Sequence, residues 1–166
     1  AETTEPESEQ TGGTLVVYFS ATGNTQAVAQ TIADTLGAEI YQIVPEQPYT
    51  DEDLNWNVAD SRVNVEHEDP SFRPAIAGGV PDLSGYDTIF IGYPNWWADL
   101  PMAVYSFFDE YDFSGKTIIP FNVHNGSRPT TSAPAATRWR PWPRRRPGLQ
   151  ARGLARAWMR RALSPG

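Results

Sequence analysis

Residues 14–36 constrain what this chain can fold into more than any other stretch. Thr14, Leu15, Val16, Val17, Tyr18 and Phe19 form an apolar, β-branched run of strand length. Six polar or small residues follow, Ser20 to Thr25, with Gly23 among them. Val28, Ile32 and Leu36 then recur at helical spacing until Gly37 stops the pattern. A strand that turns through hydroxyls and a glycine into a helix start makes an anion site. The first N–H groups of the helix have no intrahelical partner there, and the helix dipole favours negative charge. Ser20, Thr22 and Thr25 add hydroxyl donors, and Gly23 allows close backbone approach. No lysine stands in the turn, so the nucleoside triphosphate loop pattern is excluded. Neutral donors suit a terminal phosphomonoester. An ordinary N-cap turn is the plainer alternative.

The alternation continues along the chain. Strands are expected at 14–19, 39–44, 87–93 and 117–123, and helices at 24–36 and 101–111. The second helix carries Val104, Phe107, Phe108 and Tyr111 on one face. Residues 46–80 read as a long Pro/Asp/Asn-rich excursion with short helices near 51–56 and 59–68. This order predicts an α/β fold, a parallel sheet covered on both faces. Ligands of such sheets bind beyond the carboxyl ends of the strands. Three loops leave those ends, at 20–25, 94–99 and 124–127. The second carries Pro94, Asn95, Trp96, Trp97, Ala98 and Asp99. Paired indoles at a loop tip suit a planar heteroaromatic ligand, with one of the two expected to cap the core instead. The third offers Asn125, Gly126 and Ser127 as a close-approach turn. Tyr18 and Tyr93, within strands, are expected in the core.

At 166 residues the chain can bury a core of its own. It has no cysteine, which removes disulfides, thiol nucleophiles and thiolate metal sites. Its histidines, His67 and His124, stand far apart, and no metal site is expected. No apolar run reaches the length of a membrane span.

Charge divides the chain. Residues 1–127 hold twenty carboxylates and three cations (Arg62, Arg73, Lys116), a balance of −17, whereas 128–166 hold ten arginines and no acid. Residues 1–13 are acidic and lack a large apolar side chain, so they are expected to be disordered. The chain begins at Ala1 without a methionine. That fits an exported, envelope-tethered mature protein, with a trimmed terminus or a cytoplasmic protein as alternatives.

Taken together, the motifs resemble those of flavodoxins. Phe19 to Thr25 is similar to their phosphate loop. Gly92, Tyr93, Pro94, Asn95, Trp96 and Trp97, followed by Leu100 and Pro101, resemble their second flavin loop in the branch with paired tryptophans. Residues 120–127 resemble the third, although Asn125 and Arg128 depart from its usual small residues. The resemblance spans 14–127 and implies a three-layer flavodoxin-like fold, strand order 2-1-3-4-5, with FMN as cofactor. It assigns Ser20, Thr22, Gly23, Asn24 and Thr25 to the phosphate. Pro94, Asn95, Trp96 and Trp97 would line the ring, with Trp97 stacking, and Asn125, Gly126 and Ser127 would touch its other edge. The implied function is electron transfer to or from a basic redox partner, steered by the acidic surface. Asp99 near the ring would lower the potential of the flavin. An FMN-dependent NAD(P)H:quinone reductase is the alternative within the fold.

Beyond Ser127 the resemblance stops. Six prolines in the 39 residues of 128–166 oppose the helix, fifth strand and last helix that the family needs. That fifth strand and helix are expected to be missing, leaving 117–123 as an exposed edge. The tail can be read as a basic arm for nucleic acid or anionic membrane, with a basic amphipathic helix at 151–163. The preferred account is a shifted reading frame. Read one base earlier, Trp139 and Trp142 become Leu, Met or Val codons followed by alanine, good helix formers where a helix belongs.

Overall fold

The computed structural model describes residues 12–78 and 81–124, with the backbone of 137–138. Strand β1 (Gly13–Tyr18) leads through a short turn into helix α1 (Asn24–Leu36), and β2 (Glu39–Gln42) follows. Two short strands, β3 (Val44–Pro45) and β4 (Ile76–Ala77), bracket a segment containing helix α2 (Arg62–Glu68). The long strand β5 (Tyr86–Pro94), helix α3 (Met102–Glu110) and β6 (Thr117–Val123) complete the regular core. A two-residue strand, β7 (Thr137–Arg138), comes last.

The main sheet has the order β2-β1-β5-β6-β7, and its first four strands run parallel. Because β3 and β4 form a separate antiparallel pair, β5 and β6 are the third and fourth strands of the expected order 2-1-3-4. The topology is the flavodoxin-like one. Expected strand 39–44 is broken at Ile43, whose N–H still bonds the Tyr18 carbonyl at 2.7 Å and whose side chain is buried. Residues 51–60 form turns where a short helix was expected, and the second short helix begins at Arg62.

β1 shows how the sheet gains two faces. Leu15, Val17 and Phe19 alternate with Val16 and Tyr18, so one set packs with α3 and the other with α1. The α3 face is thick: Met102, Ala103, Val104 and Phe107 bury against Ile89, Ile91, Phe113 and Ile118. Tyr18 and Tyr93 are buried, as expected. The α1 face is thin and corrects the periodicity read from the sequence. α1 buries Thr25, Ala29 and Ala33, while Val28 and Leu36 stay exposed and Ile32 is half-buried. Small side chains at every fourth position let the helix lie close to the sheet, so the buried stripe holds fewer large residues than the exposed one. Gly92 serves the same face, since a side chain there would occupy the space of the Phe121 ring.

Two further differences concern the ends. Gly12 donates its N–H to Asp87 Oδ2 at 2.7 Å and Gly13 pairs with Tyr86, so the ordered sheet begins before Thr14. The edge of β6 is also not open along its whole length: Thr137 and Arg138 pair antiparallel with Ile118 and Thr117. An unpaired strand edge offers a row of backbone donors and acceptors, and a passing segment of either direction can satisfy part of it. The pairing is antiparallel and two residues long, unlike the parallel fifth strand of the resemblance. The remaining expectations for 1–11 and 128–166 lie outside the described residues. Among the described residues, no helix is long and apolar enough to cross a membrane.

Candidate functional site

The turn after β1 is organised by its own polar groups. Gly23 donates its N–H to Ser20 Oγ at 3.0 Å, and Asn24 Nδ2 donates to Thr22 Oγ1 at 3.2 Å. Gly23 sits at φ 86°, a conformation that favours glycine, and serves as the N-cap of α1. It has no side chain with which to cap the helix. The bond from Ala27 N–H to the Gly23 carbonyl, at 3.1 Å, opens the helical ladder. The N–H groups of Asn24, Thr25 and Gln26 precede it and carry the positive end of the helix dipole.

The turn after β5 is tighter. Trp96 and Asp99 exchange backbone bonds, Asp99 N–H to Trp96 O at 2.8 Å and Trp96 N–H to Asp99 O at 3.2 Å. The central residues, Trp97 and Ala98, both have positive φ, 51° and 60°. That is the mirror-image turn usually built from Asn and Gly, and each non-glycine residue there costs about 1–2 kcal/mol. The surroundings enforce it. Asp99 Oδ1 accepts the Leu100 N–H and the Tyr105 hydroxyl, each at 2.8 Å, and Asn95 N–H bonds the Val123 carbonyl at 2.9 Å. Asp99 is thus committed to its own turn and to α3. It is not among the residues lining the cleft, which corrects its expected place beside the ring.

The two tryptophans divide their roles. Trp96 is half-buried, with edge contacts to Phe19 at 5.6 Å and Tyr49 at 5.6 Å, and caps the core. Trp97 stays 39% exposed and stacks on His67 at 4.4 Å, 13° from parallel. From sequence alone His67 is a lone histidine with only a structural role. Its place on α2, against the second loop, depends on the fold and carries no local signal.

A third wall comes from the excursion. Its ends are clamped by the β3–β4 pair, and its middle is tied down by a buried polar relay. Tyr49 donates its hydroxyl to Glu66 Oε2 at 2.5 Å, and Arg62 Nε donates to Glu66 Oε1 at 2.7 Å. The Arg62 guanidinium also lies 4.1 Å from the Tyr49 ring centroid and donates to the Gln47 carbonyl. Burial, reinforced by the adjacent Glu66 carboxylate, pushes the Tyr49 hydroxyl well above the usual tyrosine range. Leu54, Trp56 and Val63 from this segment line the same cleft as the two loops. No motif in the sequence marks Leu54 or Val63. An isolated tryptophan in the polar run 51–60 was the available signal, by the argument applied to Trp96 and Trp97.

The cleft itself measures about 860 Å³. Ser20, Thr22, Asn24 and Thr25 line one end, with Pro94, Asn95, Trp96 and Trp97 beside them. Gly23 sits at the helix start without lining it. β6 delivers the chain to the cleft at Val123 and His124, and Asn125, Gly126 and Ser127 lie outside the described residues. Among the described residues no carboxylate lines the cleft, although the segment to residue 127 carries twenty. Among the described residues no lysine or arginine lines it either. Arg62 is engaged by Glu66, Arg73 by Asp109 at 2.7 Å, and Lys116 by the carbonyls of Leu83 and Tyr86. An anion held here would meet hydroxyls, backbone N–H groups and a helix dipole. The tryptophans offer a planar ring an apolar surface a few residues away.

Known proteins share this fold. The sequence profile of the flavodoxin family matches residues 13–138. A flavoprotein candidate from Bacteroides eggerthii DSM 20697 is 43% identical, with a TM-score of 0.68 over 70% of this chain and 73% of its own. Another, from Bacteroides uniformis ATCC 8492, is 42% identical, with a TM-score of 0.69 over 71% and 76%. A flavoprotein of Lactobacillus acidophilus NCFM, solved in complex with FMN, shares the fold at 22% identity, with a TM-score of 0.60 over 70% and 77%. No curated protein matches the chain.

Proposed function

This chain belongs to the flavodoxin family, and we propose that it binds FMN in the cleft and passes electrons to or from a partner protein. The observation that carries this reading is a cleft that, among the described residues, is lined by no carboxylate in a strongly acidic domain, with an uncapped helix start and indoles among its walls. That combination suits a ligand with an anionic end and a flat aromatic end, and a fold neighbour was solved with FMN. When bound, FMN supplies the capacity to take up and release electrons. The protein supplies position. Ser20, Thr22, Asn24 and Thr25 would hold the phosphate, helped by the N–H groups that open α1. Pro94, Asn95, Trp96 and Trp97 would flank the ring, with Trp97 the stacking surface. Leu54, Val63 and Val123 would keep water from it.

The partner is read from charge. A balance of −17 over residues 1–127 favours encounter with a basic surface, and raising ionic strength should slow it. The acidity that acts on the flavin is that of the whole surface, Asp99 included. The first experiment is the absorbance spectrum of the full chain after mixing with FMN and gel filtration. Flavin bands travelling with the protein support the reading, and a flavin-free protein refutes it. Mixing the loaded protein with NAD(P)H alone then separates a carrier from a quinone reductase, since a carrier stays oxidised without its reductase.

A further inference from the structure

Trp56 is the largest apolar side chain that the fold leaves unused. It is 68% exposed, more than any other large hydrophobic residue among those described, yet it lines the cleft. Its backbone is firmly held. Asn64 Nδ2, from α2, donates to the Trp56 carbonyl at 2.9 Å and to the Val58 carbonyl at 2.7 Å. Trp56 N–H bonds the Leu54 carbonyl at 3.0 Å, Val58 N–H the Asn55 carbonyl at 3.0 Å, and Val63 N–H the Asp53 carbonyl at 3.1 Å. A loop pinned at successive residues cannot easily fold its indole away, so the exposure belongs to the pinned geometry itself.

The segment is also sorted by chemistry. Residues 51–60 contain Asp51, Glu52, Asp53 and Asp60, and none of them lines the cleft. Asp53 Oδ2 instead accepts the Thr50 N–H at 2.9 Å. Leu54, Trp56 and, from α2, Val63 face the space shared with Trp96 and Trp97. One wall thus contributes an indole and two aliphatic side chains from a stretch that also carries four anions. A flat, electron-poor ring is the occupant that gains most from that exchange.

Resting on the FMN reading above, we propose that Trp56 covers the isoalloxazine ring of the bound flavin, and that Asn64 is the positioning residue that holds it there. The contact is to the ring and not the phosphate, so its loss weakens FMN and riboflavin alike. An indole in contact with a flavin quenches its emission by electron transfer, which gives a readout independent of activity.

The full chain and its Trp56→Ala, Trp56→Phe, Asn64→Ala and Trp56→Ala/Asn64→Ala variants are titrated with FMN and with riboflavin, following flavin fluorescence. Trp56→Ala should raise both dissociation constants by the same factor, about two- to tenfold, and brighten the bound flavin. Trp56→Phe should restore most of the affinity but not the quenching. Asn64→Ala should shift both ligands by a smaller factor and add nothing when Trp56 is already alanine. The thermal midpoint of Trp56→Ala should not fall, since the indole is exposed. Unchanged affinity and emission in Trp56→Ala would overturn the proposal while leaving the FMN reading intact. So would normal binding with slowed electron exchange, which assigns Trp56 to the partner surface. A wild-type chain that binds neither flavin overturns both.

Discussion

On the β1 side, the cleft is walled by consecutive residues, 20–25, whose donors are short hydroxyls and the opening N–H groups of α1. On the α2 side it is walled by Leu54, Trp56 and Val63, with α2 tied down by a relay from Tyr49 through Glu66 to Arg62 and the Trp56 turn tied to α2 by Asn64. The first wall is local, and most of what it offers belongs to the backbone. The second is assembled from residues distant in sequence and depends on one buried carboxylate, Glu66, which is only 3% exposed. A single substitution should therefore leave the first wall standing and bring down the second.

The largest effect expected from breaking this contrast is on Glu66. Glu66→Ala leaves Arg62 and the Tyr49 hydroxyl without their shared acceptor in a largely buried place. The loss of stability should be about 3 kcal/mol, seen as a lower midpoint in urea. An unchanged midpoint would mean that the α2 wall does not rest on this relay. Thr22→Ala tests the other wall, at an exposed position. It should weaken FMN by about 1.5–3 kcal/mol if its hydroxyl meets a charged phosphate, leaving the urea midpoint and riboflavin binding unmoved. Equal loss for both flavins would remove Thr22 from the phosphate.

Trp97→Ala and Trp96→Ala sharpen the division between the walls on a smaller scale. Trp97→Ala should cost about 0.5–1.5 kcal/mol of FMN affinity and restore flavin emission, with little loss of stability. Trp96→Ala should chiefly destabilise the fold, because its ring packs against Phe19 and Tyr49. If Trp96→Ala gives the greater recovery of emission, the two roles are exchanged.

The smallest effect is absent at neutral pH. Tyr49 and Tyr105 both hold their protons well above the usual range, chiefly through burial, with Glu66 and Asp99 reinforcing it. Above about pH 10 the unfolded chain releases these protons while the folded chain keeps them, so stability falls as pH rises. Below that it is fully present. Urea midpoints taken upward from pH 9 should decline, and replacing Tyr49 by Phe should flatten the decline.

The same contrast explains what was legible in the sequence. The β1 turn could be read because its parts are adjacent: strand, hydroxyls, glycine and helix fall within 23 residues. The paired tryptophans were legible for the same reason, though not the turn that carries them, since positive φ at Trp97 and Ala98 is enforced by contacts from β6 and α3. Asp99 was misplaced because its partner, Tyr105, lies a helical turn and more away. His67 is silent in the sequence because α2 reaches the second loop only through the tertiary fold, whereas Trp56, an isolated tryptophan in the polar run 51–60, does carry a local signal. The α1 stripe was misread because alanine weighs little in a hydrophobic pattern, yet packs closest to the sheet.

The central claim is that one cleft holds the phosphate and the ring of a single FMN, and parallel fluorescence titrations of the full chain with FMN and riboflavin test it most directly. The account predicts that FMN emission is quenched on binding and that FMN binds at least about tenfold more tightly than riboflavin, the worth of one charge-assisted hydrogen bond. Equal affinity for the two flavins, or no quenching by either, would contradict it.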